Sequence, residues 1–398
     1  MRILYALNTF RPHIDGVSIS IERQAIGLAA RGHEIAIVAP SPRFASSVET
    51  TADYRLYRVQ AMPIDGARHR VPILPGRGAR WALSDFQPDT VVVSVPFLLS
   101  RAVCQIAHAQ RYPLVGITSM MPEWFYYNFL PCRPLARILN HGLWRLITGY
   151  YNRCDHVVGV TSTALKFLTD HGLRRPASVI SNGVSLQVFA PRGRDEELAR
   201  RLGIPRKPTV LYVGRLDAEK CMRVWVSAIP RILERVDAHF IIGGEGTERG
   251  PLEQLVDRLG IASRVSFIGF LREEEYPAVF SLADVFAISS PVELQSIVTL
   301  EAAASGLPIV AARAGALPEL VHDGENGRLF AAADPAAMAE AIVELLRDPV
   351  RRKALGGGAR RAATRHDFAL TLEGYERLFE RIGRIATLVP KRAAPAIG

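Results

Sequence analysis

Pro208-Thr209-Val210-Leu211-Tyr212-Val213-Gly214-Arg215-Leu216-Asp217-Ala218-Glu219-Lys220 decides the fold class. An apolar, largely β-branched run stops at a glycine and gives way at once to charge, as a strand buried on both faces does where it ends in a turn. The same unit recurs in the second half at 238–243, 264–268, 284–288, 308–312 and 327–330, and in the first half at 2–7, 34–39, 89–95, 113–118, 156–160 and 178–181. Longer stretches of helical character separate these runs. The alternation predicts an α/β architecture of two Rossmann-like, doubly wound parallel-sheet domains facing a cleft, with ligands at the carboxyl ends of the strands. The charged, proline-bearing stretch Ala190-Pro191-Arg192-Gly193-Arg194-Asp195-Glu196 places the boundary between a domain 1–190 and a domain 191–369. A last helical stretch, 370–388, adds no strand and is expected to pack back on the first domain.

Composition narrows the function classes. The 398 residues are too many for one ordinary core and suit two. No apolar run approaches the ~18 residues of a membrane span, the strongest, Thr90–Leu99, being broken by Ser94 and Pro96. The amino-terminal stretch lacks the features of a signal peptide, so a cytoplasmic protein is expected, with peripheral attachment to the inner face of the cell membrane as an option. Cys104, Cys132, Cys154 and Cys221 form no CxxC pair, which argues against a disulfide framework or a zinc site. Net charge is +10 and lopsided: residues 1–190 hold 20 Lys plus Arg against 11 Asp plus Glu, residues 191–398 hold 29 against 28. A basic first half attracts anions, whether phosphates, an acidic polymer or a membrane face, unless the excess only colours a solvated surface. Its cations are dispersed without a recognition motif, so nucleic acid is not expected as a partner.

Three segments of the second half suit a bound diphosphate. Arg215 can fork onto phosphate oxygens while Lys220 adds a point charge. Glu293-Leu294-Gln295-Ser296-Ile297-Val298-Thr299-Leu300-Glu301 reads as a helix entered at Ser296, whose first amides lack partners and invite an anion. Glu301 stands among Ala and Leu, where a charge needs a partner, and a ribose hydroxyl pair is one. Ala311–Val321, closing with Asp323–Gly327, has small residues that let backbone approach a ligand, as has Gly243-Gly244-Glu245-Gly246. No GxGxxG fingerprint, DxD motif or His cluster occurs, and no metal site is expected.

Together these segments resemble family 4 of the retaining glycosyltransferases, which has the GT-B fold. The resemblance also takes in Arg11-Pro12-His13-Ile14-Asp15-Gly16-Val17-Ser18, Arg31-Gly32-His33-Glu34-Ile35 and Val179-Ile180-Ser181-Asn182-Gly183-Val184, in the family's order. It implies transfer of a hexose from a UDP or GDP sugar to a hydroxyl acceptor, with retention, without metal and without a resident cofactor. It assigns Arg215 and Lys220 to the diphosphate, Glu301 to the ribose, and Glu293 with the amides around Gln295, Ser296 and Ile297 to the transferred sugar and its phosphate. Gly16 would let the first domain approach that phosphate. Catalysis would then be fixed positive charge aimed at the leaving oxygen.

The chain departs from the family in three places. Many relatives carry a His shortly before a Pro-Glu pair; here the stretch is Gly116-Ile117-Thr118-Ser119-Met120-Met121-Pro122-Glu123, and Thr118 and Ser119 offer only hydroxyls. Ser296 and Cys221 stand where glycine is common. A sugar-nucleotide-binding protein that has lost transfer is therefore the rival reading, ahead of an epimerase. For the acceptor, the aromatic stretch Glu123–Leu130, followed by Arg133, Arg137 and Arg145 among Leu135, Ile138, Leu139, Leu143 and Trp144, suits a membrane interface. A lipid such as diacylglycerol or a phosphoinositide is the leading expectation, a soluble or polysaccharide acceptor the alternative. The spacing in 135–147 equally fits a helix packed on a sheet.

Overall fold

The computed structural model describes residues 1–12, 15–64, 69–123 and 133–387. They divide into two compact units, one of Met1–Met120, Arg137–Ser181 and the chain from Thr371, the other of Met121–Ala136 and Asn182–Leu370.

The first unit is built on eight strands: β1 (Arg2–Ala6), β2 (Glu34–Pro40), β3 (Ser47–Thr50), β4 (Arg55–Val59), β7 (Thr90–Val93), β8 (Leu114–Thr118), β9 (His156–Gly159) and β10 (Ala177–Val179), in the order β10-β9-β8-β7-β1-β2-β4-β3. Only the β3–β4 edge pair is antiparallel. Between them β5 (Ala61–Ile64) and β6 (His69–Pro72) make a separate antiparallel pair. The central strands are apolar on both faces because helices cover both, and Ile3, Leu4, Tyr5, Val91 and Val93 are fully buried. Four of these elements, β3 to β6, have no counterpart in the sequence reading. All four residues of β3 are exposed, and Arg55 and Arg58 interrupt β4, so neither shows a continuous apolar run.

The second unit is a six-stranded, wholly parallel sheet ordered β13-β12-β11-β14-β15-β16, from β11 (Thr209–Val213), β12 (His239–Gly243), β13 (Val265–Gly269), β14 (Val285–Ile288), β15 (Ile309–Ala312) and β16 (Gly327–Phe330). Trp225, on the helix Met222–Leu233, anchors its core, donating to the Ala287 carbonyl at 3.1 Å and meeting Phe240 edge to face. In each unit the winding reverses beside the first strand, between β1 and β7 and between β11 and β14. Such switch points open a crevice at the carboxyl ends of the strands.

The final helix, Phe368–Thr387, docks on the first unit through Glu376, which accepts from Arg31 at 2.6 Å and lies 3.1 Å from His33 Nε2. Of the segment read as membrane-facing, 124–132 and the side chains of Arg133, Leu135, Arg137, Ile138 and Leu139 lie outside the described residues. Trp144 points inward, 1% exposed and stacked on Phe167 and His171, while Arg145 and Leu146 face out. Among the described residues no helix is long and apolar enough to cross a membrane.

Candidate active site

The loops that follow β11 and β14 flank the second unit's switch point and carry the predicted phosphate ligands. Beyond β11, the Tyr212 hydroxyl donates to the Arg215 carbonyl at 3.0 Å. Burial, then the negative charges of Glu293 and Glu219, hold that phenol well above its ordinary pKa, so it remains a donor. The Arg215 guanidinium is clasped on two sides, Nη1 donating to Asp217 at 2.8 Å and Nη2 to Glu219 at 2.6 Å. Lys220 Nζ donates to Glu293 Oε1 at 2.7 Å. Ser289 Oγ donates to the carbonyls of Lys220 and Cys221 at 3.0 and 3.1 Å, fastening one loop to the other. The structure thus brings Lys220 and Glu293 together across two loops and pairs Arg215, five positions before Lys220, with the carboxylates of Asp217 and Glu219. Arg215 has five N–H donors and Lys220 three, so these ion pairs leave donors for an incoming anion while fixing where they point.

Glu293 is set by its own backbone. Its carbonyl accepts from Ala316 N at 2.8 Å. Gly315 lies against it with φ +53°, and a Cβ there would sit 2.6 Å from the Glu293 oxygen and 3.1 Å from its nitrogen. The small residues after β15, read in the sequence as room for a ligand, include this one that makes room for Glu293.

The helix Ile297–Ala304 begins with Ser296 as its cap, Oγ accepting from Thr299 N at 3.3 Å and from its hydroxyl at 2.8 Å. The amides of Ile297 and Val298 fall in the first turn, where no carbonyl within the helix can serve them. The Gln295 side-chain oxygen accepts from Asn182 N at 2.7 Å, tying the Asn182-Gly183 segment to the site. Glu301 is 1% exposed and its carboxylate accepts from the Tyr276 hydroxyl at 2.6 Å, with the Tyr276 ring held edge to face by Phe189 and Phe280. One partner of this charge in an apolar helix is thus a phenol 25 positions away, which sequence spacing did not reveal.

In the first unit Gly16 opens the helix Gly16–Ala29, capped by a reciprocal pair in which Asp15 accepts from Ser18 N and Ser18 Oγ from Asp15 N, both at 2.8 Å. Among the described residues a Cβ at Gly16 would meet no atom within 4 Å, so packing does not demand a glycine there. His13 and Ile14 of the same turn lie outside the described residues. Thr118, fully buried, ends β8 and Ser119 follows it. Among the described residues no three His, Cys, Asp or Glu side chains gather as a metal-holding group.

Residues 14–188 match the model of the Glycosyltransferase Family 4 domain and residues 207–348 that of the Glycosyl transferases group 1 domain. The chain is 28% identical over 382 residues to a GDP-mannose-dependent alpha-(1-6)-phosphatidylinositol monomannoside mannosyltransferase of Mycobacterium tuberculosis, covering 91% of this chain and 94% of that one. It is 37% identical over 212 residues to a D-inositol 3-phosphate glycosyltransferase of Corynebacterium diphtheriae, about half of each chain. Its fold is similar to sucrose-phosphate synthase of Thermosynechococcus elongatus, with a TM-score of 0.83 at 21% identity over 96% of this chain and 99% of that one. It is likewise similar to HepE of Anabaena in complex with UDP and glucose, with a TM-score of 0.76 at 20% identity over 96% and 100%.

Proposed function

The chain belongs to the group 1 glycosyltransferases, with a family 4 amino-terminal region and two parallel-sheet domains of GT-B type, and from that premise we propose that it transfers a hexose with retention and without metal. It takes that hexose from a nucleotide diphosphate sugar. The observation that carries this reading is the 2.7 Å contact between Lys220 and Glu293 beside the switch point of the second unit, with Arg215 of the same loop held by Asp217 and Glu219. In this reading the remaining N–H groups of Arg215 and Lys220 and the first amides of Ile297–Ala304 meet the charge that develops on the departing diphosphate. Glu293 meets the reacting sugar, Glu301 the ribose, and Gly16 leaves room for the phosphate. The first domain, 1–190, holds the acceptor, and 191–369 holds the donor.

GDP-mannose is the first donor to try, because the first relative above is named as dependent on it, with UDP sugars next. The same relative's name supports a phosphoinositide lipid as acceptor, with the protein resting on the inner face of the cell membrane; that of the Corynebacterium relative supports a soluble inositol phosphate instead. The absence of a His at Thr118 and Ser119 supports a second reading, a donor-binding protein without transfer. A thermal-shift screen with GDP, UDP and ADP sugars identifies the donor, since a ligand at ~100 times its Kd adds ~2.7 kcal/mol. Transfer in EDTA to phosphatidylinositol vesicles and to inositol 3-phosphate, with the product's anomeric configuration read by NMR, then tests the rest. Stabilisation by a donor with no transfer and no donor hydrolysis selects the second reading, and inversion or a strict metal requirement overturns the mechanism.

A further inference from the structure

Cys104, on the helix Leu98–Ala109, and Cys154, in the turn between the helix Arg133–Tyr151 and β9, are both fully buried, and neither has a part in the site described above. Although 50 positions apart, their side chains meet within hydrogen-bonding contact. Gly116 of β8 makes the room for that meeting. A Cβ there would lie 2.9 Å from Cys154 Sγ and 2.6 Å from the Tyr151 ring, so strand and turn close on each other only because the strand has no side chain at this point. Tyrosines fasten both sides. The Tyr150 hydroxyl donates to the Ser100 carbonyl at 3.5 Å, one turn before Cys104, and the Tyr151 hydroxyl lies 2.9 Å from the Ile117 carbonyl and 3.2 Å from that of Ser94. Asp155 closes the turn, its amide donating to Leu114 O at 2.8 Å and its carboxylate accepting from Leu114 N at 2.9 Å.

The two sulfurs differ in character. Contact with Cys154 lowers the pKa of the Cys104 thiol, and although burial opposes the shift, Arg153 and Arg101 reinforce it. Burial, and then the contact with Cys104, hold the Cys154 thiol well above its ordinary value. The thiolate is the nucleophile in sulfur redox chemistry, and a protonated thiol beside it is placed to resolve the first oxidation product. Two buried thiols kept apart would be inert packing. A polarised pair in contact has disulfide chemistry open to it.

We infer that Cys104 and Cys154 form a reversible redox site that a hydroperoxide closes to a disulfide, with Cys104 as the attacking sulfur and Cys154 as the resolving one. Hydrogen peroxide is scarcely larger than water and reaches the pair through local opening of the turn. The Cys104 thiolate attacks one peroxide oxygen, the O–O bond breaks, and the departing hydroxide is protonated to water, leaving a sulfenic acid on Cys104. The Cys154 sulfur then attacks the Cys104 sulfur. The S–S bond forms as the S–O bond breaks, and the oxygen leaves as a second water with the Cys154 proton. Two thiols lose two electrons to one peroxide, and a dithiol reductant returns them. The link spans β8 and staples the helix Leu98–Ala109 to the turn before β9, which removes freedom from the unfolded chain over a 50-residue loop. The site does not depend on hexose transfer.

The test uses the full chain, reduced and then freed of reductant, and exposes it to hydrogen peroxide well below its melting temperature. Alkylation with iodoacetamide in denaturant counts the remaining thiols, and peptide mass spectrometry locates any link. The expectation is that two of the four cysteines are lost to alkylation as a Cys104–Cys154 disulfide, that Tm rises by roughly 5–10 °C, and that dithiothreitol reverses both. In Cys154→Ser the sulfenic acid on Cys104 has no resolving sulfur and should be trapped by dimedone, whereas Cys104→Ser should trap nothing at Cys154. Cys154→Ala and Cys104→Ala repeat the comparison where a serine hydroxyl unsettles the core. Four alkylatable thiols after peroxide, oxidation of Cys104 to a sulfinic acid without a link, or a link that forms only in urea overturns the site. Dimedone on Cys154 instead of Cys104 overturns the assigned roles, and a linked form that melts no higher than the reduced protein overturns the staple.

Discussion

Replacing Gly315 by alanine tests whether the backbone of Glu293 is part of the catalytic design. The new Cβ would lie 2.6 Å from the Glu293 carbonyl oxygen. Carbon and carbonyl oxygen settle at about 3.3 Å, so one of the two loops must give by roughly 0.7 Å. The residue also sits at φ +53°, a region that costs an alanine roughly 1–2 kcal/mol and a glycine almost nothing. In a domain of this size each kcal/mol lowers Tm by about 2–4 °C, so a drop of roughly 2–8 °C is expected. The shift acts on the residue whose carboxylate holds Lys220 at 2.7 Å. A misplacement approaching 1 Å costs up to about 10²-fold in rate, and Gly315→Ala should lose ten- to a hundredfold in kcat while donor KM changes less. The assay is steady-state transfer with the best donor, run well below the variant's Tm, beside a thermal melt. A variant with parental kcat and an unchanged melt would refute the reasoning, because a methyl that fits there means Glu293 is not held from below.

The helix Pro349–Thr364 carries three consecutive glycines and offers a paired test of packing. A Cβ at Gly357 would meet only the Arg361 side chain at 3.5 Å, so Gly357→Ala should stabilise by about 0.5–1 kcal/mol, whereas one at Gly356 would lie 2.3 Å from the Gly306 carbonyl oxygen, so Gly356→Ala should destabilise; chemical denaturation checks both. Arg215→Ala and Lys220→Ala should each slow transfer by ~10² to 10³, read as turnover on folded protein, and near-parental turnover of Lys220→Ala removes the diphosphate assignment. Burial, aided by Arg381 for His156 and by Lys207, Arg264 and Arg194 for His239, lowers both imidazoles from 6.5 to about 4. The fold thus favours their neutral forms, and the stability they add is complete above pH 6.5 and lost as pH falls towards 4. Denaturation curves across that window should steepen this loss in the parent relative to His239→Gln, and identical slopes would count against it.

Much of the architecture is legible in the sequence because a parallel strand buried on both faces must be apolar throughout. Each of the twelve runs read from the sequence overlaps an observed strand. The site is less legible. Arg215 and Lys220 announce themselves as cations after a strand, yet their partners follow from how loops meet. Asp217 and Glu219 stand in the same quoted segment, where nothing in the spacing marks them, although Glu219 is 1% exposed beneath Arg215. Tyr276 and Gly315 lie on other elements than Glu301 and Glu293, and no local periodicity links them. A cluster assembled across a switch point leaves no spacing to read.

The structure also separates the departures from the family pattern by what they demand. Ser296 replaces glycine at φ −80°, where any residue fits, and its hydroxyl caps the helix, so the exchange is locally favourable. Cys221 replaces glycine at φ 50°, which is strained for a side chain and follows Lys220 directly. Thr118 and Ser119 in place of His are of another kind, because a hydroxyl carries no charge at neutral pH. In the proposed reading these two hydroxyls add no positive charge to what the second unit offers the leaving diphosphate. There Arg215 and Lys220 are matched by Asp217, Glu219 and Glu293, two cations against three carboxylates. The pairs orient the cations but cancel much of their field at a distance, so in the proposed reading binding would depend on short-range contact with their remaining N–H groups and on the amides of Ile297 and Val298. Contact of that kind discriminates by geometry, and the proposed reading therefore expects the position of Glu293, and the glycine beneath it, to bear more on turnover than the count of charges does.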